Sequence, residues 1–407
     1  MTDKPMKVLG IIAEYNPFHN GHLYHLSQSK ERIGADFVVV VMSGNFVQRG
    51  EPALVNKWDR SKMAVENGID LVIELPVAYA CNNSEIFARG AIQILNGLGC
   101  VTHLSFGSEE ANLDGLQAIA RVLAEEGGLF KESLRKNLDM GLSFAKSREM
   151  GIGAALHKDV SAVLKGSNNI LAIEYLKQLL LTNSTIVPVM VTRKGPAYKE
   201  VCSSGGIASA TQLRNLCEQQ LEIREFVPPP TWDFMEKQEG LIFWKNLHLI
   251  ILSRLLQLSK EELSQIYSVS EGLENRIKGQ VRHAASLDEL VGRVVSKRYT
   301  ETRIKRVLIH SLLGIRKSEF HSMLNRNLNY CRVLGFNEKG ASLLRKIKRD
   351  ALNSIPVLTN INKELESGDD LWHLLELDVL ASDLYNLLSN KNIHDNSDYV
   401  VKPFYKF

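Results

Sequence analysis

Residues 8–25 read VLGIIAEYNPFHNGHLYH, and the fold follows from how that stretch changes character. Val8–Ala13 is an unbroken apolar run, the pattern of a strand covered on both faces. Glu14–Phe18 is a turn in which Pro17 restricts the backbone, and from Gly21 to Ile33 the spacing becomes helical. A buried strand that turns directly into a helix, with polar groups and a glycine at the junction, is the opening unit of an open parallel α/β sheet. Such a sheet places its ligand at the carboxyl end of that strand.

Working outward, the unit recurs. Phe37–Met42, Asp70–Leu75, Val101–Phe106 and Thr185–Val191 are further apolar runs, and helical patterns at Lys57–Gly68 and Ser84–Leu98 separate the earlier ones. The alternation predicts an α/β fold: right-handed βαβ crossovers in a doubly wound parallel sheet. After Glu225 the character changes. Val227–Thr231 (VPPPT) reads as a stiff extended linker. Beyond it the pattern predicts no strand before the extreme C-terminus. Helices are expected at Ile242–Leu258, Lys260–Tyr267, Ser286–Lys297, Glu301–Leu313 and Gly340–Ala351. The expected organisation is an α/β domain over residues 1–226 and a mainly α-helical C-terminal domain over 227–407.

The chemistry concentrates in His19-Asn20-Gly21-His22. Two imidazoles three residues apart at a helix start project from the same end, beside free backbone N–H groups and the positive end of the dipole. That arrangement suits a phosphate and can donate to charge growing on phosphorus, so His19 and His22 are the candidate catalytic residues. A single histidine there would read as a cap, and a metal pair would need a third ligand that the spacing does not supply. No resident metal site is expected.

HNGH after the first strand resembles the HxGH signature of the adenylate-forming, nucleotidylyltransferase-like superfamily. The later Ile207–Arg214 (IASATQLR) resembles that superfamily's second phosphate motif, ISxTxxR, and brings in Ser209 and Arg214. Met42–Ala53 (MSGNFVQRGEPA), Asp70–Ala80, Phe106–Glu109, Ser167–Tyr175 and the arginine of Val191–Gly195 narrow the resemblance to the bacterial tRNA(Met) cytidine acetate ligases. The resemblance implies ATP-dependent activation of acetate as acetyl-adenylate, then acetyl transfer to N4 of the wobble cytidine of elongator tRNA(Met).

It also implies ATP contacts at Ile12, Ala13, Glu14, Tyr15, Asn16, Pro17, Phe18, His19, Asn20, Gly21, His22, Leu23, Tyr24 and His25. Further contacts are implied at Gly107, at Asn168 or Asn169, and at Arg193. Mg²⁺ would accompany ATP as the substrate complex, and no tightly bound cofactor is implied. Lys199 and Glu200 stand where the family more often has His-Asp, which puts any role of those positions in doubt. Glu14 and Asn16 are placed to support the site from behind, and Gln48 or Arg49 to offer acetate a polar handle.

With 407 residues, 44% hydrophobic and 23% charged, the chain is neither disordered, collagen-like nor a disulfide miniprotein. Five scattered cysteines without a CxxC pair fit buried thiols in a reducing compartment, and no secretory signal pattern opens the chain. Leu247–Leu258 is too short and is broken by Arg254, so no membrane span is expected. The expected location is the cytoplasm.

The net charge of +3 conceals an asymmetry. From Arg293 to Arg349 fifteen Lys and Arg face three Glu, a net of +12, which leaves −9 for the rest. Such a block is the footprint of a nucleic-acid partner, and Arg345, Lys346, Lys348 and Arg349 are its candidate tRNA contacts. A small-molecule adenylyltransferase that ignores RNA would share HNGH and Ile207–Arg214 but would have no use for that block.

Overall fold

The computed structural model describes residues 6–193, 206–238, 240–326, 328, 330–363, 372–389, 392–394 and 397–407. Its strands are β1 (Val8–Ala13), β2 (Phe37–Ser43), β3 (Phe46–Val47), β4 (Glu51–Pro52), β5 (Leu71–Leu75), β6 (His103–Ser108), β7 (Val187–Thr192), β8 (Cys331–Asn337), β9 (Val357–Leu358) and β10 (Phe404–Lys406).

The five apolar runs become β1, β2, β5, β6 and β7, neighbours in the order β5-β2-β1-β6-β7, and every pair among them is parallel. The chain thus works outward from β1 through β2 to β5, then returns to the other side of β1 for β6 and β7. Between β1 and β6 the winding reverses, and the crevice at their carboxyl ends is where this architecture holds a ligand. Four helices, Leu113–Glu125, Gly128–Asp139, Phe144–Leu156 and Ser167–Leu181, lie between β6 and β7.

Two expectations fail after Val227. Cys331–Asn337 is a strand, with its first five residues buried, pairing antiparallel with β5 and parallel with β9 and β10. Arg332 interrupts its apolar run, and a charge in a central strand reads as a loop unless counter-charges are supplied elsewhere. They are supplied. Arg332 Nη1 lies 2.7 Å from Asp398 Oδ2 and 3.5 Å from Glu74 Oε2, and Lys57 Nζ lies 2.8 Å from Glu74 and 2.7 Å from Asp398. All four residues are buried. Burial opposes the Asp398 charge, but Arg332 and Lys57 outweigh it and hold that carboxyl below its usual value. Asp378, buried beside Glu74, is pushed up to about 7.

The second failure is VPPPT. Pro228 caps a helix over Pro229–Met235, because proline in the first turn has no N–H to leave unbonded and a φ already suited to the helix. A continuous apolar cluster runs from Val8 and Leu71 through Leu255, Ile304 and Leu308 to Leu343 and Leu374, so residues on both sides of Val227 share one core. No described helix is long and apolar enough to cross a membrane.

Candidate functional site

β1 ends at Ala13, and the chain passes a cis Asn16–Pro17 bond to His19, the cap of the helix Asn20–Ile33. The two histidines form a capping box. His19 Nδ1 accepts from Gly21 N at 3.0 Å, and His22 Nδ1 accepts from His19 N at 3.3 Å. Each ring therefore uses Nδ1 as an acceptor, so the neutral imidazole carries its proton on Nε2. The rings stack with centroids 3.7 Å apart and 24° between planes. Gly21 makes the room, since a Cβ there would come within 2.8 Å of the His19 ring.

The electrostatics keep these rings uncharged. Burial, then Arg193 and Arg214, lowers His19 to about 3. Burial and then His19 hold His22 well below 6.5, and burial with Arg193 lowers His25 to about 4. Each neutral ring thus keeps its proton on Nε2 as a hydrogen-bond donor.

The shift has a consequence for folding. With folded values below the unfolded one near 6.5, the unfolded chain takes up protons that the folded chain refuses. The stability these groups contribute is present above pH 6.5 and is lost as pH falls from there toward 4. The urea midpoint should therefore drop between pH 7 and 5, and His25→Gln should flatten part of that slope. An unchanged slope in the variant would show that His25 is not the group held neutral.

Around the rings lies a cavity of about 540 Å³, within the range of small-molecule sites. Its wall contains Ile12, Ala13, Glu14, Tyr15, Asn16, His19, Gly21, His22, Tyr24, His25, Gly107, Asn168, Arg193, Ser209 and Arg214, all named from the sequence. Gly107 lets Arg193 approach, with a Cβ only 3.3 Å from Arg193 Cγ. Arg214 donates to Asn16 O and Thr211 Oγ1, both at 3.2 Å. Ser209 caps the helix Ala210–Glu218, its Oγ accepting from Gln212 N at 3.3 Å.

The turn is pinned from behind. Buried Arg60 donates to the carbonyls of Glu14 (2.6 Å), Val55 (3.0 Å) and Gly44. Glu14 Oε1 accepts from Gln48 N, and Asn16 Oδ1 accepts from Leu54 N. Asn16 Nδ2 is buried with no acceptor among the described residues.

Five sequence-named residues do not line the cavity. Phe18 is fully buried, and Leu23 packs against the same apolar cluster. Pro17 shapes the turn, and Asn20 Nδ2 donates to Gly206 O and Glu225 O. Asn169 is a bracket: its Oδ1 accepts from Ser108 Oγ, Glu109 N and Glu110 N. Of the two asparagines, only Asn168 faces the cavity.

Sequence reasoning missed Asn83, Ser84, Phe87, Thr302 and Arg306, which complete the wall. Nothing in the local pattern of these residues marks them, and Arg306 was only one charge in a basic block. Lys199, Glu200 and Cys202 lie outside the described residues. Burial pushes the Cys81 and Cys100 thiols up to about 12 and Cys217 to about 11, and raises Cys331 as well.

The basic block divides in space. Lys305 and Arg332 are spent internally, Lys305 on Glu51 (2.8 Å) and Glu301 (2.9 Å). Arg345, Lys346, Lys348 and Arg349 lie on the helix Glu338–Arg349, whose Gly340 packs on Asp70 O and whose neighbour Lys339 reaches Asp36 O. Those carbonyls precede β5 and β2, so this helix starts at the amino ends of those strands, the end of the sheet opposite His19. Arg345, Lys348 and Arg349 are exposed, and Lys346 and Arg349 pair with Asp350. The structure does not bring these four to the cavity.

Comparison with known proteins is consistent across sequence and structure. The family model described as HIGH Nucleotidyl Transferase matches residues 6–399. A relative from Thermoanaerobacter sp. (strain X514) named tRNA(Met) cytidine acetate ligase is 42% identical over 402 residues, covering 97% of this chain and 98% of its own. One of the same name from Acetivibrio thermocellus is 42% identical over 395 residues, covering 93% and 94%. The crystal structure of Thermotoga maritima TmcAL bound with alpha-thio ATP superposes with a TM-score of 0.91 at 31% identity, covering 98% of this chain and 99% of that one. The apo form of that protein gives 0.92 at 32% identity.

Proposed function

Because this chain belongs to the HIGH nucleotidyl transferase family, we propose that it works as its relatives' name states, as an ATP-dependent tRNA(Met) cytidine acetate ligase. In the first step an acetate oxygen attacks the α-phosphorus of ATP, an O–P bond forms, and pyrophosphate leaves. In the second, N4 of a cytidine attacks the carbonyl carbon of acetyl-adenylate, AMP leaves, and the amine gives up a proton. The observation that carries this reading is the pair of Nδ1-tied, neutral imidazoles with Arg193 and Arg214 behind them. Their Nε2–H groups meet charge growing on the α-phosphoryl oxygens, and the arginines add fixed positive charge. Mg²⁺ belongs to the substrate, carried on the β and γ phosphates of ATP. The location that suits a tRNA substrate and the unpaired thiols of the described cysteines is the cytoplasm.

Residues 1–226, joined at the cavity by Thr302 and Arg306, are proposed to activate acetate, and the remainder of residues 227–407 to hold the RNA. Within the second part, Arg345, Lys346, Lys348 and Arg349 are the proposed tRNA contacts, an assignment supported by three exposed cations on one helix. Reversing these four charges should weaken tRNA binding and make the salt slope shallower by about one for each phosphate no longer neutralised. The KM for ATP should not change. Unaltered tRNA affinity would move the RNA surface elsewhere.

The direct test is incubation with ATP, labelled acetate and total bacterial tRNA. Label should appear on one cytidine, with release of AMP and pyrophosphate. Label on no RNA would favour an adenylyltransferase of small molecules.

A further inference from the structure

We propose that Arg306 is the acetate-binding residue, its guanidinium receiving the carboxylate in the part of the cavity walled by Gln48, Asn83 and Phe87. The inference rests on the acetate-activating function proposed above.

Arg306 sits on the helix Glu301–Leu313 and lines the cavity, yet no carboxylate stands within ion-pair distance of it among the described residues. Its hydrogen bond goes from Nη1 to Gln48 O at 3.3 Å. A guanidinium has five N–H donors in a planar fork, so most of this one's capacity is uncommitted. Three more deeply buried cations spend their donors within the protein. Lys305 has two carboxylates, Arg332 has two, and Arg60 has three carbonyls. A half-buried guanidinium without a counter-charge costs free energy unless an anion joins it, and the cavity is the space from which one can come.

Its position is enforced. Gly50 has φ +78°, and a Cβ there would lie 2.3 Å from Arg306 N and 2.6 Å from Lys305 C. The β3–β4 turn therefore presses directly on the helix backbone, and Lys305–Glu51 clamps the contact beside it.

The charge that acts on the histidines comes from elsewhere. After burial, Arg193 and Arg214 are the groups that depress His19, and Arg214 is held at the HNGH turn by Asn16 O at 3.2 Å, whereas Arg306 is held at Gln48 O at 3.3 Å. Arg306 thus reaches the cavity from the helix Glu301–Leu313 and the Gln48 loop, and not from the HNGH turn. Gln48 follows β3, Asn83 caps the helix Ser84–Gly97, and Phe87 lies in the first turn of that helix. Acetate offers only a methyl and a carboxylate, and this wall offers the Phe87 ring, the Gln48 and Asn83 side chains and a guanidinium with uncommitted N–H donors. Held by one oxygen, acetate keeps the other free to attack the α-phosphorus as pyrophosphate departs. The carbonyl oxygen of the resulting mixed anhydride remains on Arg306.

The test is acetate-dependent ATP–pyrophosphate exchange without RNA, comparing the unaltered protein with Arg306→Gln and Arg306→Lys. Loss of a charge-assisted pair should raise the acetate KM of Arg306→Gln by about 10- to 100-fold, with the ATP KM within about twofold. Arg306→Lys, which keeps the charge and loses the fork, should recover part of the loss. An unchanged acetate KM overturns the proposal, as does an equal rise in the ATP KM, which would make Arg306 a phosphate ligand. Normal exchange with loss of transfer to tRNA would also overturn it, by assigning the residue to RNA. Absence of exchange in the unaltered protein would sink the proposed function and this inference with it.

Discussion

His22→Ala should lower acetate-dependent ATP–pyrophosphate exchange by about a hundred- to a thousandfold, the usual effect of removing one fixed donor from a developing oxyanion. The loss should appear in kcat rather than in the KM for ATP, because the Nε2–H bond strengthens as charge builds on the α-phosphoryl oxygens. His22 also caps the helix, through His19 N to its Nδ1. The variant should therefore lose about 1 kcal/mol of stability, far less than unfolding requires. His22→Asn offers a shorter acceptor to the same N–H and should restore stability without restoring rate. Exchange that survives in His22→Ala would remove the imidazole pair from the mechanism.

Asp398→Ala should be the most damaging single change to the fold. It withdraws the acceptor shared by Lys57 (2.7 Å) and Arg332 (2.7 Å) and leaves two buried cations facing Glu74. Removing one member of a buried ionic cluster costs about 3–5 kcal/mol, which chemical denaturation would read directly. The cost arises from stranded charge and not from a missing attraction. The double variant Arg332→Met, Asp398→Leu should accordingly be less destabilised than Asp398→Ala alone. Equal or greater loss in the double variant would show that the cluster is a net source of stability. The damage should reach the cavity as well. Gly44 packs on Glu74, with a Cβ only 2.7 Å from Oε1, and Lys57 N donates to Asn45 Oδ1 in the loop that carries Gln48.

The parallel strands were legible because each is a continuous apolar run, and burial on both faces writes itself directly into composition. β8 was not legible, because Arg332 is tolerated only through Glu74 and Asp398, more than sixty positions away on either side. The helix at Pro229–Met235 was misread because prolines that break a helix interior are well suited to its first turn. In the candidate site, the HNGH turn and the Ile207–Arg214 segment pointed to one cavity. The same reading included Phe18 and Asn169, whose side chains turn into the core and into a loop bracket. Which way a residue faces inside a tight turn depends on φ and ψ values that residue type only loosely restricts.

What the sequence by itself determined is local. Gly21 leaves space for the His19 ring, Nδ1 of each histidine is consumed by an N–H two or three residues away, and the Nε2 protons are thereby aimed outward. A device that closes within four residues needs nothing from the rest of the chain, so its meaning can be read where it is written. What only the tertiary structure decided is long-range. Arg306 meets Gln48 across 258 residues, and whether its charge is neutralised, solvated or left facing a cavity depends on which helix packs against which loop. A guanidinium has the same formula in a solvated block and in a pocket wall. Packing alone distinguishes the two, because it decides which counter-charges and how much water can reach it.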